Sequence, residues 1–226
     1  MTLQHVVFVF QAIVFLFAIS VHESAHAFTA WRCGDPTAKM LGRVSLNPIR
    51  HIDIIGTLVL PAICLFTGFP VIGWAKPTPV DPRNFQHEIR DDILTSIAGP
   101  ISNFLVATLA VLCLMLISLT SPQASLIVKA AMLGYPGISN SALVPISVLL
   151  YQGMVINVLL GVFNLIPVPP LDGSHVVRHL LSDRVREIYD RVGIFGLILL
   201  LLVGGNLLMA MMSPFISVFN SLLMRV

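Results

Sequence analysis

"IIGTLVLPAICLFTGFPVIGWA", residues 54–75, is the stretch on which the topology of this chain turns. It is apolar enough to enter a bilayer, where a helical crossing takes about 20 apolar residues. Yet Pro61, Gly68, Pro70 and Gly73 interrupt it, and proline removes a backbone donor and breaks the helical ladder. Lysine and arginine decide between a full crossing and an excursion that returns to the side it left. If the run returns, residues 31–92 share one face with Arg32, Lys39, Arg43, Arg50, Lys76, Arg83 and Arg90. Residues 169–191 join that face with Arg178, Arg184, Arg186 and Arg191, while the opposite face keeps Lys129 and Arg225. A split of 11 against 2 is the asymmetry by which cytoplasmic loops are recognised. A full crossing would scatter the basic residues over both faces. The run is therefore expected to be re-entrant, with both chain termini outside.

The other apolar runs are residues 3–30, 93–119, 141–168 and 192–224, the last carrying a span over about 192–212. With 56% hydrophobic and 11% charged residues and a mean hydropathy of +0.91, the composition is that of an integral membrane protein, since soluble domains carry about 25% charged residues. The expected fold is an all-α polytopic membrane protein forming a single domain over residues 1–226. It has four spans, the last towards the C-terminus, and a re-entrant segment with a short β-like edge strand within about 54–82. A net charge of +2 without any basic run gives no support for nucleic acid as a partner. Cys33, Cys64 and Cys113 are odd in number and widely spaced. They read as small buried apolar residues, not as a disulfide framework or a metal pair. The N-terminal run has no Lys or Arg before it and no clear cleavage site, so it reads as a retained span.

The first span holds "FAISVHESAHAFTAW", residues 17–31, with three polar groups where lipid would be. Each costs about 2.5–3.5 kcal/mol at that depth if charged, so such residues mark function. "HESAH" fits H-E-x-x-H on a helix. His22 and His26, four residues apart, stack two imidazoles on one face with Cβ atoms about 5–6 Å apart, close enough to share one zinc ion. Glu23 can reach a water that zinc activates, and take its proton. The competing reading is a pair of packing histidines with Glu23 as their counter-charge.

A catalytic zinc takes three protein ligands and keeps a fourth position open. "NLIPVPPLDGSH", residues 164–175, places Asp172 just beyond an apolar span, as a candidate third ligand. Two crossings separate the end of the first span from Asp172 if residues 54–75 are re-entrant, so both reach the same face. His175 and His179 in "HVVRH" also have four-residue spacing but no glutamate beside the first, and read as loop histidines. His51 could line the site or sit in an interfacial loop; His5 and His87 carry no pattern. Asn103, Asn157 and Asn164 are amides at membrane depth, where interhelical hydrogen bonding is the simpler role; Asn164, eight residues before Asp172, is the one favoured for function.

An extended segment offers a partner an edge of backbone donors and acceptors. In "GWAKPTPV", Pro77 and Pro79 remove donors from one edge of a strand. Lys76, Thr78 and Val80 keep theirs on the other, which suggests a clamp that binds substrate by β-augmentation. A stiff proline-rich loop is the plainer alternative.

Taken with "GRVSLNPIRHID" (42–53), "GWAKPTPVDPRNF" (73–85), "AGPISN" (98–103) and "NLIPVPPLDG" (164–173), the HESAH motif resembles the site-2 proteases, intramembrane zinc metalloproteases. The resemblance covers nearly the whole chain and points to the compact branch without a PDZ domain, with the first three spans as a three-span catalytic core and one further C-terminal span. It implies one zinc ion held by His22, His26 and Asp172, Glu23 as general base, Asn164 helping to hold the substrate carbonyl, and Asn103 as the polar residue of the small-residue motif near the site. It further implies hydrolysis within or near transmembrane segments during regulated intramembrane proteolysis. The substrate would be a single-span protein or remnant signal peptide, and the active site would lie towards the cytoplasmic side of a prokaryotic cell membrane. A membrane zinc or proton transporter using the same ligands is the alternative, although such proteins are usually built from paired repeats and none is visible here. Oligomeric state is not legible.

Overall fold

The computed structural model describes residues 3–59, 63, 73–134 and 141–226. Helices dominate them: α1 (Leu3–Arg32), α2 (Thr37–Met40), α3 (Glu88–Ser118), α4 (Pro122–Met132), α5 (Leu143–Asn164), α6 (Gly173–Arg178), α7 (Asp183–Val203) and α8 (Gly205–Arg225). No strand occurs among the described residues. Val7–Arg32 of α1, α3, α5 and α8 are long and apolar enough to cross a membrane.

Three of these match the expected runs, and the fourth corrects one. The 192–224 run is cut at Gly204, so its membrane-length helix is Gly205–Arg225 and not 192–212. The charged residues Asp183, Arg184, Arg186, Glu187, Asp190 and Arg191 crowd the first half of α7. Its apolar remainder is about 18 Å long at 1.5 Å per residue, well short of the ~30 Å hydrocarbon core. Gly204 is the C-cap of that helix, its N–H making the last helical bond to Leu200 O at 2.8 Å, and a Cβ there would lie 2.3 Å from the same oxygen. Helix α4 was not expected either, although "SP" at 121–122 announces it. Ser121 Oγ accepts from the N–H of Ala124 at 3.1 Å and Pro122 occupies the first turn, where its missing donor is harmless.

The chain divides into two compact units. One comprises Met1–Ala18 and Pro100–Val226. Its core joins Ala107, Val111 and Leu114 of α3, Val128 of α4, Met154, Val158 and Val162 of α5, and Met212 and Leu223 of α8. Val14 and Ala18 of α1 pack on Ile156 in a second cluster. Within this apolar mass Asn103 is fully buried, donating to Asn157 Oδ1 at 2.8 Å and to Ala18 O at 3.3 Å. Such interhelical amide bonds are worth about 0.6 kcal/mol each in membranes, and leaving the groups unsatisfied would cost more. Beyond α5 the chain tightens through turns at 165–171, where Leu171 donates to Val168 O at 2.9 Å. Tyr189 of α7 fastens this segment by donating to Pro167 O at 2.8 Å.

The other unit is Ile19–Gly99. Ala30, Cys33 and Phe85 form its small core, with Val80 against it. Asp35, fully buried, accepts from Thr37 N at 3.1 Å, Asp81 N at 2.8 Å and Asn84 Nδ2 at 2.9 Å, tying α2 to the loop before α3. Burial alone would raise the Asp35 carboxyl, but hydrogen bonds from Thr37, Asp81 and Asn84 outweigh it and hold the pKa below the usual aspartate value. His51 Nε2 lies 2.7 Å from Ser45 O, so this histidine braces the loop 45–51.

The two ends of the 54–75 run meet. Trp74 N–H donates to Gly56 O at 3.1 Å and Thr57 Oγ1 donates to Trp74 O at 2.8 Å. The indole lies so close that a Cβ on Gly56 would be 2.4 Å from its Nε1. Residues 60–62 and 64–72 are outside the described residues, so the re-entrant course itself falls there. The expected β-like edge strand is corrected: residues 73–81 form neither helix nor strand. Pro77 and Pro79 have no N–H to give. Lys76 N–H is taken by His51 O at 2.9 Å and Thr78 N–H by Glu23, so two donors expected to face a substrate are already used.

Candidate active site

In Ile19–Gly99 the H-E-x-x-H spacing does what helical geometry predicts. His22 and His26 are 6% and 7% exposed, with ring centroids 4.6 Å apart and planes crossed at 81°. Their Nε2 atoms converge to 3.0 Å. The Nδ1 of His26 lies 2.7 Å from the carbonyl oxygen of Thr95 on α3. A carbonyl can only accept, so Nδ1 carries the proton and Nε2 presents its lone pair, the tautomer a metal requires. Two ligands of a tetrahedral zinc stand about 3.3 Å apart when each bond is about 2.05 Å. The observed separation is close to that, and a zinc ion fits this pair.

Gly99 explains how two rings fit against α3. A Cβ on it would lie 2.3 Å from His26 Nε2 and 2.7 Å from His22 Cε1. No other residue type leaves room for both imidazoles, which gives "AGP" at 98–100 a role that small size alone had only hinted at.

Glu23 is half-buried, and its carboxylate is held from one side. Thr78 N–H donates to Oε2 at 2.9 Å, and the Thr78 hydroxyl lies 2.7 Å from Oε2 and 3.0 Å from the Glu23 carbonyl oxygen. Among the described residues Oε1 accepts no hydrogen bond. Behind this contact stands Arg43, 5% exposed. Its guanidinium donates to the carbonyls of Lys76 at 2.9 Å and Pro77 at 2.7 Å, and to that of Arg50. Burial pulls the Arg43 pKa below the usual arginine value, and the negative charge of Glu23 acts against that shift. Neither the Thr78 contact nor Arg43 was read as part of the site from sequence, because each joins residues tens of positions apart.

Of the remaining expected residues, Asn103, Asn164 and Asp172 are in the unit Met1–Ala18 and Pro100–Val226, and Lys76 and Val80 are in Ile19–Gly99. Asn164 closes α5, its Nδ2 donating to Leu160 O at 3.0 Å one turn back. Asp172 is half-buried at the start of α6 and makes no side-chain cap to that helix. Gly173 beside it has no space for a side chain, since a Cβ would lie 2.2 Å from Leu165 O. Asn103 is the buried tie between α1, α3 and α5 described above. Lys76 is exposed, and Val80 packs on the Ala30–Cys33–Phe85 core.

Comparison with known proteins bears on this donor set. The model of Peptidase family M50 matches residues 10–203. The protein named "Putative zinc metalloprotease YwhC" of Bacillus subtilis is 34% identical over 191 residues, 84% of this chain and 78% of that protein. "Putative zinc metalloprotease Rip2" of Mycolicibacterium smegmatis is 27% identical over 80% of this chain and 61% of its own length. Its namesake in Mycobacterium tuberculosis strain H37Rv is 28% identical over 87% and 67%. No solved structure matches the chain. A family match across most of the sequence, on a protein with four helices of membrane length and an intact H-E-x-x-H pair, has one outcome: the chain belongs to Peptidase family M50, the site-2 proteases, and is a metalloprotease.

Proposed function

We propose that this metalloprotease binds one zinc ion through His22, His26 and Asp172 and hydrolyses peptide bonds within or near the transmembrane segments of other proteins. The observation that carries this reading is the convergence of two buried imidazole Nε2 atoms at 3.0 Å inside an apolar helix, with Glu23 on the adjacent position. Asp172 is taken as the third ligand because it follows an apolar span inside "NLIPVPPLDG", residues 164–173, the stretch that resembles the family's own motif. Buried ligands in a membrane-length helix suit a substrate that is itself in the membrane.

When bound, zinc supplies a Lewis acid that polarises the scissile carbonyl and eases the ionisation of water. The chain's own groups do the rest. Glu23 takes a proton from the attacking water at Oε1 and returns it to the leaving amine. Thr95 O keeps His26 in its ligand tautomer. Asn164, at the end of α5, contributes an amide towards the substrate carbonyl. Asn103 serves chiefly by packing α3, and the described hydrogen bonds of Lys76 and Thr78 favour a supporting role over direct contact with substrate.

The meeting of Gly56 and Trp74 supports a 54–75 excursion that returns to its own side; with the basic loops then on one face, the positive-inside rule favours a site towards the cytoplasm of a prokaryotic cell. The substrate class proposed is a single-span regulatory protein or remnant signal peptide. The test is a purified enzyme reconstituted in vesicles with a labelled single-span substrate. E23Q should keep one equivalent of zinc and lose turnover. Cleavage by E23Q, or zinc flux across the vesicle without cleavage by the parent protein, would refute the reading.

A further inference from the structure

We infer that Thr78 is a positioning residue for the catalytic carboxylate, aimed by Arg43; this rests on Glu23 being the general base. Two donors from one residue meet one oxygen: the Thr78 N–H at 2.9 Å and its hydroxyl at 2.7 Å, both on Glu23 Oε2. Fixing one oxygen fixes the plane of the carboxylate. Oε1 is then left as the basic atom, pointing where Oε2 does not.

The peptide that supplies the N–H is itself held. Pro77 C=O and Thr78 N–H belong to a single planar trans peptide unit, so they point in opposite directions. Arg43 Nη2 grips that carbonyl at 2.7 Å and the preceding one at 2.9 Å. Orienting the carbonyl towards Arg43 therefore orients the N–H towards Glu23. Pro77 and Pro79 on either side restrict the backbone further, because each ring locks φ. Nη1 of the same guanidinium donates to Arg50 O, so two nitrogens of one planar group hold three carbonyls, whereas a lysine has a single nitrogen and cannot reproduce that spread. Thr78 thus serves the enzyme's own base and not the substrate backbone.

The flanking prolines also make the contact measurable without substrate. Neither Pro77 nor Pro79 has an amide hydrogen, so the Thr78 N–H is the only exchangeable backbone amide in residues 77–79. Hydrogen–deuterium exchange of the full chain in detergent micelles should find this amide protected. E23A and R43K should each speed its exchange, while H22A, which leaves the carboxylate in place, should not. Equal exchange in the parent protein and E23A overturns the inference, and equal exchange in R43K removes Arg43 from it.

Turnover on the labelled single-span substrate gives the second readout. T78V deletes one hydrogen bond to a charged group, an interaction whose loss lowers rates about 10–100-fold. The fall should appear in kcat with KM unchanged and zinc content retained. T78S, which restores the hydroxyl, should recover kcat to within about threefold of the parent. A rise in KM at constant kcat would make Thr78 a substrate contact, and T78S as poor as T78V would make its methyl group the important part. Either result overturns the inference. E23Q separates this from the broader reading: if E23Q is inactive while T78V is normal, only the Thr78 role fails.

Discussion

Replacing Gly99 by alanine puts a methyl group into the space that two imidazoles occupy. The added Cβ would sit 2.3 Å from His26 Nε2, 2.6 Å from its Cε1 and 2.7 Å from His22 Cε1. Ordinary contact begins near 3.4 Å, so His26 must withdraw by about 1.1 Å. Metal–ligand distances tolerate only about ±0.2 Å. Retreat is also resisted from behind, because His26 Nδ1 is bonded to Thr95 O at 2.7 Å, one turn before Gly99 on the same helix. The ring must give up either its place towards the ion or the bond that sets its tautomer, and losing such an outer partner alone costs about 10–100-fold in metal affinity. G99A should therefore bind zinc at least about 100-fold more weakly, or about 2.8 kcal/mol at 1.4 kcal/mol per decade. The assay is competition against chelators of graded strength, with bound metal counted by mass spectrometry and helicity followed by circular dichroism. G153A is the control: nothing lies within 4 Å of a Cβ there, so the added methyl should stabilise α5 by about 0.5–1 kcal/mol and leave zinc alone. A folded G99A with the parent's zinc affinity would refute the steric argument.

Other outcomes follow from the loops. Asp35 has a folded pKa below its unfolded one, so the stability it contributes is present at neutral pH and fades as pH falls through and below the ordinary aspartate range. D35N should cost about 1–3 kcal/mol, abolish that acid dependence, and speed hydrogen exchange at residues 81–85; an unchanged acid profile in D35N would contradict the assignment. Tyr189 has its pKa raised by burial and by the Asp190 charge, so its bond to Pro167 should persist to alkaline pH and be lost only as pH rises through that elevated value. Y189F should lower stability by about 0.5–1.5 kcal/mol and loosen residues 165–173, read as faster proteolytic nicking there; equal nicking rates would show that the bond holds nothing.

Short-range periodicity made much of this molecule readable. An i, i+4 histidine pair has only one arrangement on a helix, so His22 and His26 converge as their spacing requires. Apolar length likewise located three of the membrane-length helices. The fourth is displaced because hydropathy is blind to a single glycine: the backbone of Gly204, at φ −80° and ψ 0°, caps α7, a break that no running average of side chains records. The edge strand failed for a related reason. Alternating prolines announce an extended path, but whether the donors between them face a partner depends on residues far away, and here His51 and Glu23 claim them. Contacts across 34 and 55 positions, Arg43 to Pro77 and Thr78 to Glu23, leave no pattern in a single sequence.

The closure at Gly56, Thr57 and Trp74 has a further consequence. Two hydrogen bonds and an indole packed on a bare Cα form a neck through which the chain enters and leaves before reaching Thr78. Loop-closure entropy grows only with the logarithm of length, about 0.6 kcal/mol for each doubling. Whatever length of chain runs between Thr57 and Trp74, the neck insulates the segment carrying Thr78 from it. Relatives of this enzyme could therefore lengthen, shorten or rewrite that stretch, adapting it to different lipids or substrates, while Thr78, just after the neck, holds the Glu23 carboxylate in the same place.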